Sequence, residues 1–156
     1  MHTEPGETPF RAEAPPRERA LVPLRIPSGW AVLFNIFVEF PDDDPPTPAE
    51  VSAYLSEDIL LVQPVSYTGS GWAVDTDPSR WFIDLGWYSS GDPDGTYRLC
   101  LVRDGWNEVP VRFEHRDCHA VQKAFNTLTA MLAEGSGTEL IARVLDDPRF
   151  LDEGSR

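Results

Sequence analysis

Residues 81–116 read WFIDLGWYSSGDPDGTYRLCLVRDGWNEVPVRFEHR, and their side chains alternate by two in three successive runs. Trp81, Ile83, Leu85 and Trp87 share one parity, while Phe82, Asp84, Gly86 and Tyr88 share the other. After SSGDPDG the chain resumes with Tyr97, Leu99 and Leu101 set against Thr96, Arg98, Cys100 and Val102. Asp104 and Gly105 form a hairpin-turn signal, and beyond it Val111 and Phe113 oppose Arg112 and Glu114. Period-two runs separated by turn residues predict an antiparallel meander with one covered face.

The cover follows directly. Asp117 is a helix N-cap, and Val121, Ala124, Phe125, Leu128, Met131 and Leu132 make an apolar stripe at helical spacing, closed by Gly135 and Gly137. A further short helix is expected over residues 139–145. Upstream, IPSGWAVLFNIFVEF (residues 26–40) is apolar in both parities, which predicts a central strand with Asn35 and Glu39 at its less buried spots. Thr47, Pro48 and Glu50 spell a capping box for a short helix over residues 48–57. Residues 59–65, ILLVQPV, fit either a strand or the end of that helix, and Pro64 argues against an unbroken central strand beyond Gln63. Residues 72–74 are a short extended piece in a connection. The expected fold is α+β: a twisted, mainly antiparallel sheet of four or five strands, with a C-terminal helix on one face and a shorter helix near an edge.

At 156 residues the chain is long enough for one core and too short for two. Residues 1–24, rich in Pro and charge, read as a flexible leader, and residues 25–156 as the domain. The net charge is −13, of which the leader carries −1 and the domain −12. That field disfavours nucleic acid and anionic membranes and accelerates encounter with a basic partner. Two cysteines, no signal-peptide pattern and no apolar run near ~18 residues make the cytoplasm the expected location.

Catalytic chemistry has weak anchors. Cys100, His115, Cys118 and His119 offer soft metal ligands or a Cys–His pair, but there is no Cys-x-x-Cys hook and Cys118 and His119 are adjacent. The triplet Asp42, Asp43 and Asp44 lacks the alternation of a calcium loop, and TGSG lacks the lysine of a phosphate loop. Asp84 with Glu114, or Asp92 with Asp94, could pair for acid–base work, though solvated turns and opposite faces are the commoner reading of such acids. No catalytic residue, metal or cofactor is therefore assigned. Trp72, Trp87, Tyr88 and Trp106 stand in or beside loops among acids, which suits recognition: rings exclude water and carboxylates receive Arg or Lys. The expected partner-binding residues are Trp87, Tyr88, Asp92, Asp94, Asp104, Trp106 and Glu108.

IPSGWAVLFNIFVEF, an acidic linker, EDILLV, FIDLGWYSSGDPDGTYRLCLV and WNEVPVRFEHR before an amphipathic helix together resemble a group of small bacterial immunity proteins. These accompany contact-dependent growth-inhibition and other polymorphic toxin systems. The likeness runs over residues 25–134 and is sharpest at IPSGW, Asn35, DLGWY and the Asp-Gly turn. It implies a non-enzymatic antidote that binds one cognate toxin domain and occludes it. Nuclease toxins, with basic surfaces, would match the acidic charge. The family's pattern often runs GWYPE where this chain has GWYSS, so a contact positioned by that proline does not carry over.

Overall fold

The computed structural model describes residues 14–152. Of the expected leader, residues 1–13 lie outside the described residues, as does the very end of the acidic tail. In chain order the elements are β1 (Trp30–Asn35), α1 (Pro48–Tyr54), β2 (Leu60–Tyr67), β3 (Trp72–Val74), β4 (Phe82–Tyr88), β5 (Thr96–Arg103), β6 (Glu108–His115), α2 (Cys118–Ala133) and α3 (Thr138–Asp146). They make the expected α+β fold, with an antiparallel sheet ordered β1-β2-β4-β5-β6 and β3 paired to β2. The short β3 brings the sheet to six strands.

The meander is the centre of the sheet. Tyr88 pairs with Thr96 and Phe82 with Val102, so the β4–β5 ladder is unbroken, and β6 continues it through Leu99 and Phe113. Leu60, Leu85, Leu99 and Phe113 form one row across the sheet, and Val62, Ile83, Leu101 and Val111 the next. Both rows are buried beneath Val121, Ala124, Phe125 and Leu128 of α2 and Ile141 and Leu145 of α3. The Asp117 carboxylate caps α2 by accepting from the His119 N–H at 3.0 Å.

Four departures from the expected layout have physical causes. The apolar run 26–40 is not a central strand: β1 is the sheet edge, with Val32, Leu33 and Phe34 exposed. A bulge between Val32 and Phe34 shifts the register. The Asn35 side chain then accepts from the Phe37 N–H at 2.9 Å and turns the chain, which buries Phe37 and Val38. Secondly, Pro64 lies inside β2, which continues to Tyr67; the ladder to β4 ends at Val62 and that to β3 begins at Val65, so the missing N–H falls where the partner changes.

Thirdly, residues 14–24 belong to the packed domain. Leu21 bridges Val38, the Val22 N–H donates to the Phe37 carbonyl at 2.8 Å, and Val22 is buried in the core. Arg17 and Arg19 reach Glu50, the capping-box glutamate of α1, whose side chain is fully buried.

Helix α1 also stops earlier than expected, because residues 55–59 run along β4. The Trp87 N–H donates to the Ser56 carbonyl at 2.7 Å and the Ile59 N–H to the Leu85 carbonyl at 2.9 Å. Gly86 makes room for that segment: a Cβ there would stand 2.1 Å from the Glu57 carbonyl oxygen. Gly86→Ala is therefore expected to cost about 1–3 kcal/mol, measured by urea unfolding; an unchanged midpoint would mean that the segment shifts freely.

Candidate partner-binding site

The expected binding residues fall at the two ends of the sheet. Tyr88, Asp92 and Asp94 lie at the β4–β5 loop, whereas Asp104, Trp106 and Glu108 lie at the β5–β6 turn. The eight residues of β5 separate these ends by roughly 24 Å. They cannot form one contact patch on a small ligand.

At the first end, Trp87 is not a projecting anchor. It is 4% exposed, packed edge-on against Tyr97 with centroids 4.8 Å apart, and its indole N–H donates to the Asp92 carbonyl at 2.7 Å. Its parity with Ile83 and Leu85 puts it on the covered face. Trp87 and Tyr97 instead form the floor of a groove of about 350 Å³, walled by Pro45 and Pro46 on one side and Pro93 on the other. Gly95 permits the loop to close over the floor, since a Cβ there would lie 2.4 Å from the Tyr88 carbonyl oxygen and 2.5 Å from the Trp87 indole nitrogen. Asp92 Oδ1 accepts from the Asp94 N–H at 2.9 Å, and Arg116 donates to the Pro93 carbonyl at 3.2 Å.

The rim of this groove is acidic. Asp42 lines the groove, Asp117 lines the adjoining hollow that shares Tyr97 and Arg116, and Asp43, Asp92 and Asp94 are exposed on the loops that carry Asp42 and Pro93; Arg116 is the cation among its lining residues. Arg116 stands 3.7 Å from Asp94, a loose and exposed pair. Asp44 is already engaged, 3.0 Å from Arg17 and 2.9 Å from Arg19. Sequence reasoning missed the proline walls, which only the folding-back of residues 41–46 places beside Trp87.

At the other end, Trp106 is half exposed and edge-on to Phe82 at 6.0 Å, and Glu108 pairs with Arg103. The Asn107 N–H donates to the Asp104 carbonyl at 3.0 Å, and Trp106, at φ 75°, holds a left-handed position that glycine or asparagine normally fills. Trp72 and Tyr67, both well exposed, lie edge-on at 5.6 Å on the β2–β3 hairpin. Fewer of the acids at this end are free of cations, since Asp75 also pairs with Arg80 at 3.1 Å.

The cysteines and histidines do not converge. Cys100 shares its parity with Arg98 on the open face of the sheet, while Cys118 is packed in the core on the covered face. Burial pushes each thiol up to about 11, so neither is a ready thiolate at neutral pH. His119 faces Glu39 at 3.1 Å, and His115 Nδ1 accepts from the Asp117 N–H at 3.0 Å. Among the described residues no group of three or more His, Cys, Asp or Glu side chains is placed to hold a metal ion. Asp84 and Glu114 share the open face of the sheet and not opposite faces, but Glu114 is bound to Arg98 at 2.5 Å and to Arg112 at 2.8 Å.

Among the described residues no helix is long and apolar enough to cross a membrane. Compared with protein-family models, curated protein sequences and solved structures, the chain finds no match.

Proposed function

We propose that this chain is a non-enzymatic binding protein of the immunity kind, an antidote that captures the basic surface of a toxin domain and occludes it. The observation that carries the reading is the groove at the β4–β5 end: an aromatic floor, proline walls, Asp42 in its lining, further exposed aspartates on the adjoining loops and one loosely held arginine. A partner's Arg or Lys entering it gains contact with the Trp87 and Tyr97 rings and with carboxylates that have no committed cation. Proline walls lose little freedom when a partner orders against them, which lowers the entropic cost of association. The net charge of −13 adds long-range attraction to a basic partner. The resemblance of residues 25–134 to immunity proteins supplies the biological role.

The test is a binding titration with the toxin domain encoded beside this chain's gene, followed by growth of cells that express both. A one-to-one complex and protected cells are expected. Asp92→Asn with Asp94→Asn, which keeps the turn's side-chain acceptors, is expected to slow association on the order of tenfold at low salt. Trp106→Ala, at the far end, is expected to leave the rate unchanged. No complex, or a complex sensitive only to Trp106, would reject the groove as the contact.

A further inference from the structure

The face of the sheet that the helices leave open carries a second pocket, which shares no lining residue with the groove. Register places Phe34, Leu61, Asp84, Cys100 and Arg112 in one row across five strands. Between Phe34, Leu61 and Asp84 lies a cleft of about 280 Å³, which Asp58 also lines. Its walls are apolar and its polar ends are two carboxylates. Asp84 is half-buried and, among the described residues, has no hydrogen-bond or ion-pair partner. No buried polar side-chain atom is left unsatisfied in the described chain, so the Asp84 oxygens open onto the cleft.

The cations of this face are committed elsewhere. Arg98 and Arg112 both bind Glu114, and Arg98 also stacks on the Tyr88 ring at 4.0 Å. Asp84 therefore faces Asp58, an uncharged Cys100 thiol and the hydrocarbon of Phe34 and Leu61, with no positive charge to offset it. A carboxylate held in apolar walls beside a second carboxylate attracts a cation. A divalent metal would keep a hydration shell that apolar walls cannot satisfy. An organic cation with its own apolar body satisfies both surfaces at once.

We infer that this cleft is a binding site for an alkylammonium group, its nitrogen between Asp84 and Asp58 and its hydrocarbon against Phe34 and Leu61. The volume is at the small end of ligand sites, which suits one side chain or a small free amine. A lysine side chain of a partner and a free amine present the same chemistry. The site is independent of the groove, so either can fail without the other.

The test is an NMR titration of the full chain with n-hexylammonium chloride at about pH 7.5, with n-hexanol as the neutral control. Saturable shifts at Phe34, Leu61 and Asp84 are expected, with Kd on the order of 1 mM. Asp84→Asn is expected to weaken binding at least tenfold, as is lowering the pH to about 5, where Asp84, at about 6, is mostly protonated. Asp92→Asn with Asp94→Asn is expected to bind the amine unchanged. Acetyl-Leu-Lys-Leu-amide separates the sources: tighter binding than hexylammonium assigns the site to a protein lysine, weaker binding to a free amine. Hexanol binding equally well, Asp84→Asn retaining full affinity, or no saturable shift would each overturn the site.

Discussion

Glu50→Gln is expected to lower the melting temperature by roughly 10 °C, because Glu50 is the one fully buried charged side chain among the described residues. The Glu50 carboxylate is fully buried and accepts from three sources. Arg17 donates to Oε1 at 2.9 Å, Arg19 donates to both oxygens, and the Thr47 N–H completes the capping box at 3.3 Å. Glutamine keeps the shape and the bond from Thr47 but takes the buried carboxylate from Arg19, whose side chain is only 7% exposed and is left with the half-exposed Asp44 as its one carboxylate partner. Breaking a buried pair on one side leaves a charge only partly compensated, here by Asp44, which costs more than the intact pair contributes. Glu50→Met together with Arg19→Met removes both charges and is expected to recover most of the loss. If the double variant is as unstable as the single one, the partly compensated charge is not the cause.

The same cluster has a defined acid response. Arg19, then Arg17 and Thr47, hold the Glu50 carboxyl far below its usual value of 4.5. A lowered folded value means that the contribution is complete above about 4.5 and is lost as pH falls through the folded value. The gap in melting temperature between the parent and Glu50→Gln is therefore expected to be widest near neutrality and to narrow in strong acid. Because Arg17 and Arg19 also hold Asp44, the cluster fixes the loop that carries Pro45 and Pro46, so the groove wall and the domain's stability share one anchor.

The parts of the fold that obey a short period were legible in the sequence. Alternation in residues 81–116 and the stripe of α2 specify the meander and its cover, because each needs only local repetition against one apolar layer. The capping box at Thr47 and Glu50 was equally plain. What escaped is what depends on distant partners. Arg17 and Arg19 sit among prolines with no periodicity, and only the docked chain brings them to Glu50. The binding residues were grouped by chemistry, although hairpin connectivity already puts the β4–β5 loop and the β5–β6 turn at opposite ends of the sheet. Trp87 carried its own correction in its parity with Ile83 and Leu85. Asn35 was the one break in the run 26–40, and a side chain able to bond two residues onward is what ends that strand. The isolation of Asp84 was beyond reach, since it depends on which strands flank β4 and on both nearby arginines choosing Glu114.

Asp84→Asn is expected to make the protein more stable at about pH 8 by on the order of 1–2 kcal/mol, less than the full shift because the half-buried carboxyl is partly screened by solvent, and to make little difference at about pH 3.5. Burial, reinforced by the charge of Asp58, raises the Asp84 carboxyl from 3.8 to about 6. A raised folded value means that folding favours the protonated form. Below 3.8 both folded and unfolded chains hold the proton and the site costs nothing. Between 3.8 and about 6 the unfolded chain alone releases it, so the folded state loses ground as pH rises, and above about 6 the full penalty is in force. Of the groups near the carboxyl, Cys100 is pushed up to about 11, Tyr88 is raised above its ordinary 10, Glu114 is held low by Arg112 and Arg98, and Asp58 is the carboxylate whose charge acts on Asp84 directly. Subtracting the two stability–pH curves cancels the acids that do not interact with Asp84, including Glu50, whereas Asp58, whose charge acts on Asp84, remains part of the difference. The difference should rise through a single step centred between 3.8 and about 6. Parallel curves would mean that Asp84 is solvated as an ordinary surface carboxylate. Adding hexylammonium at about pH 8 is expected to stabilise the parent and not the variant, because a bound cation supplies in the folded state the charge partner that the fold withholds.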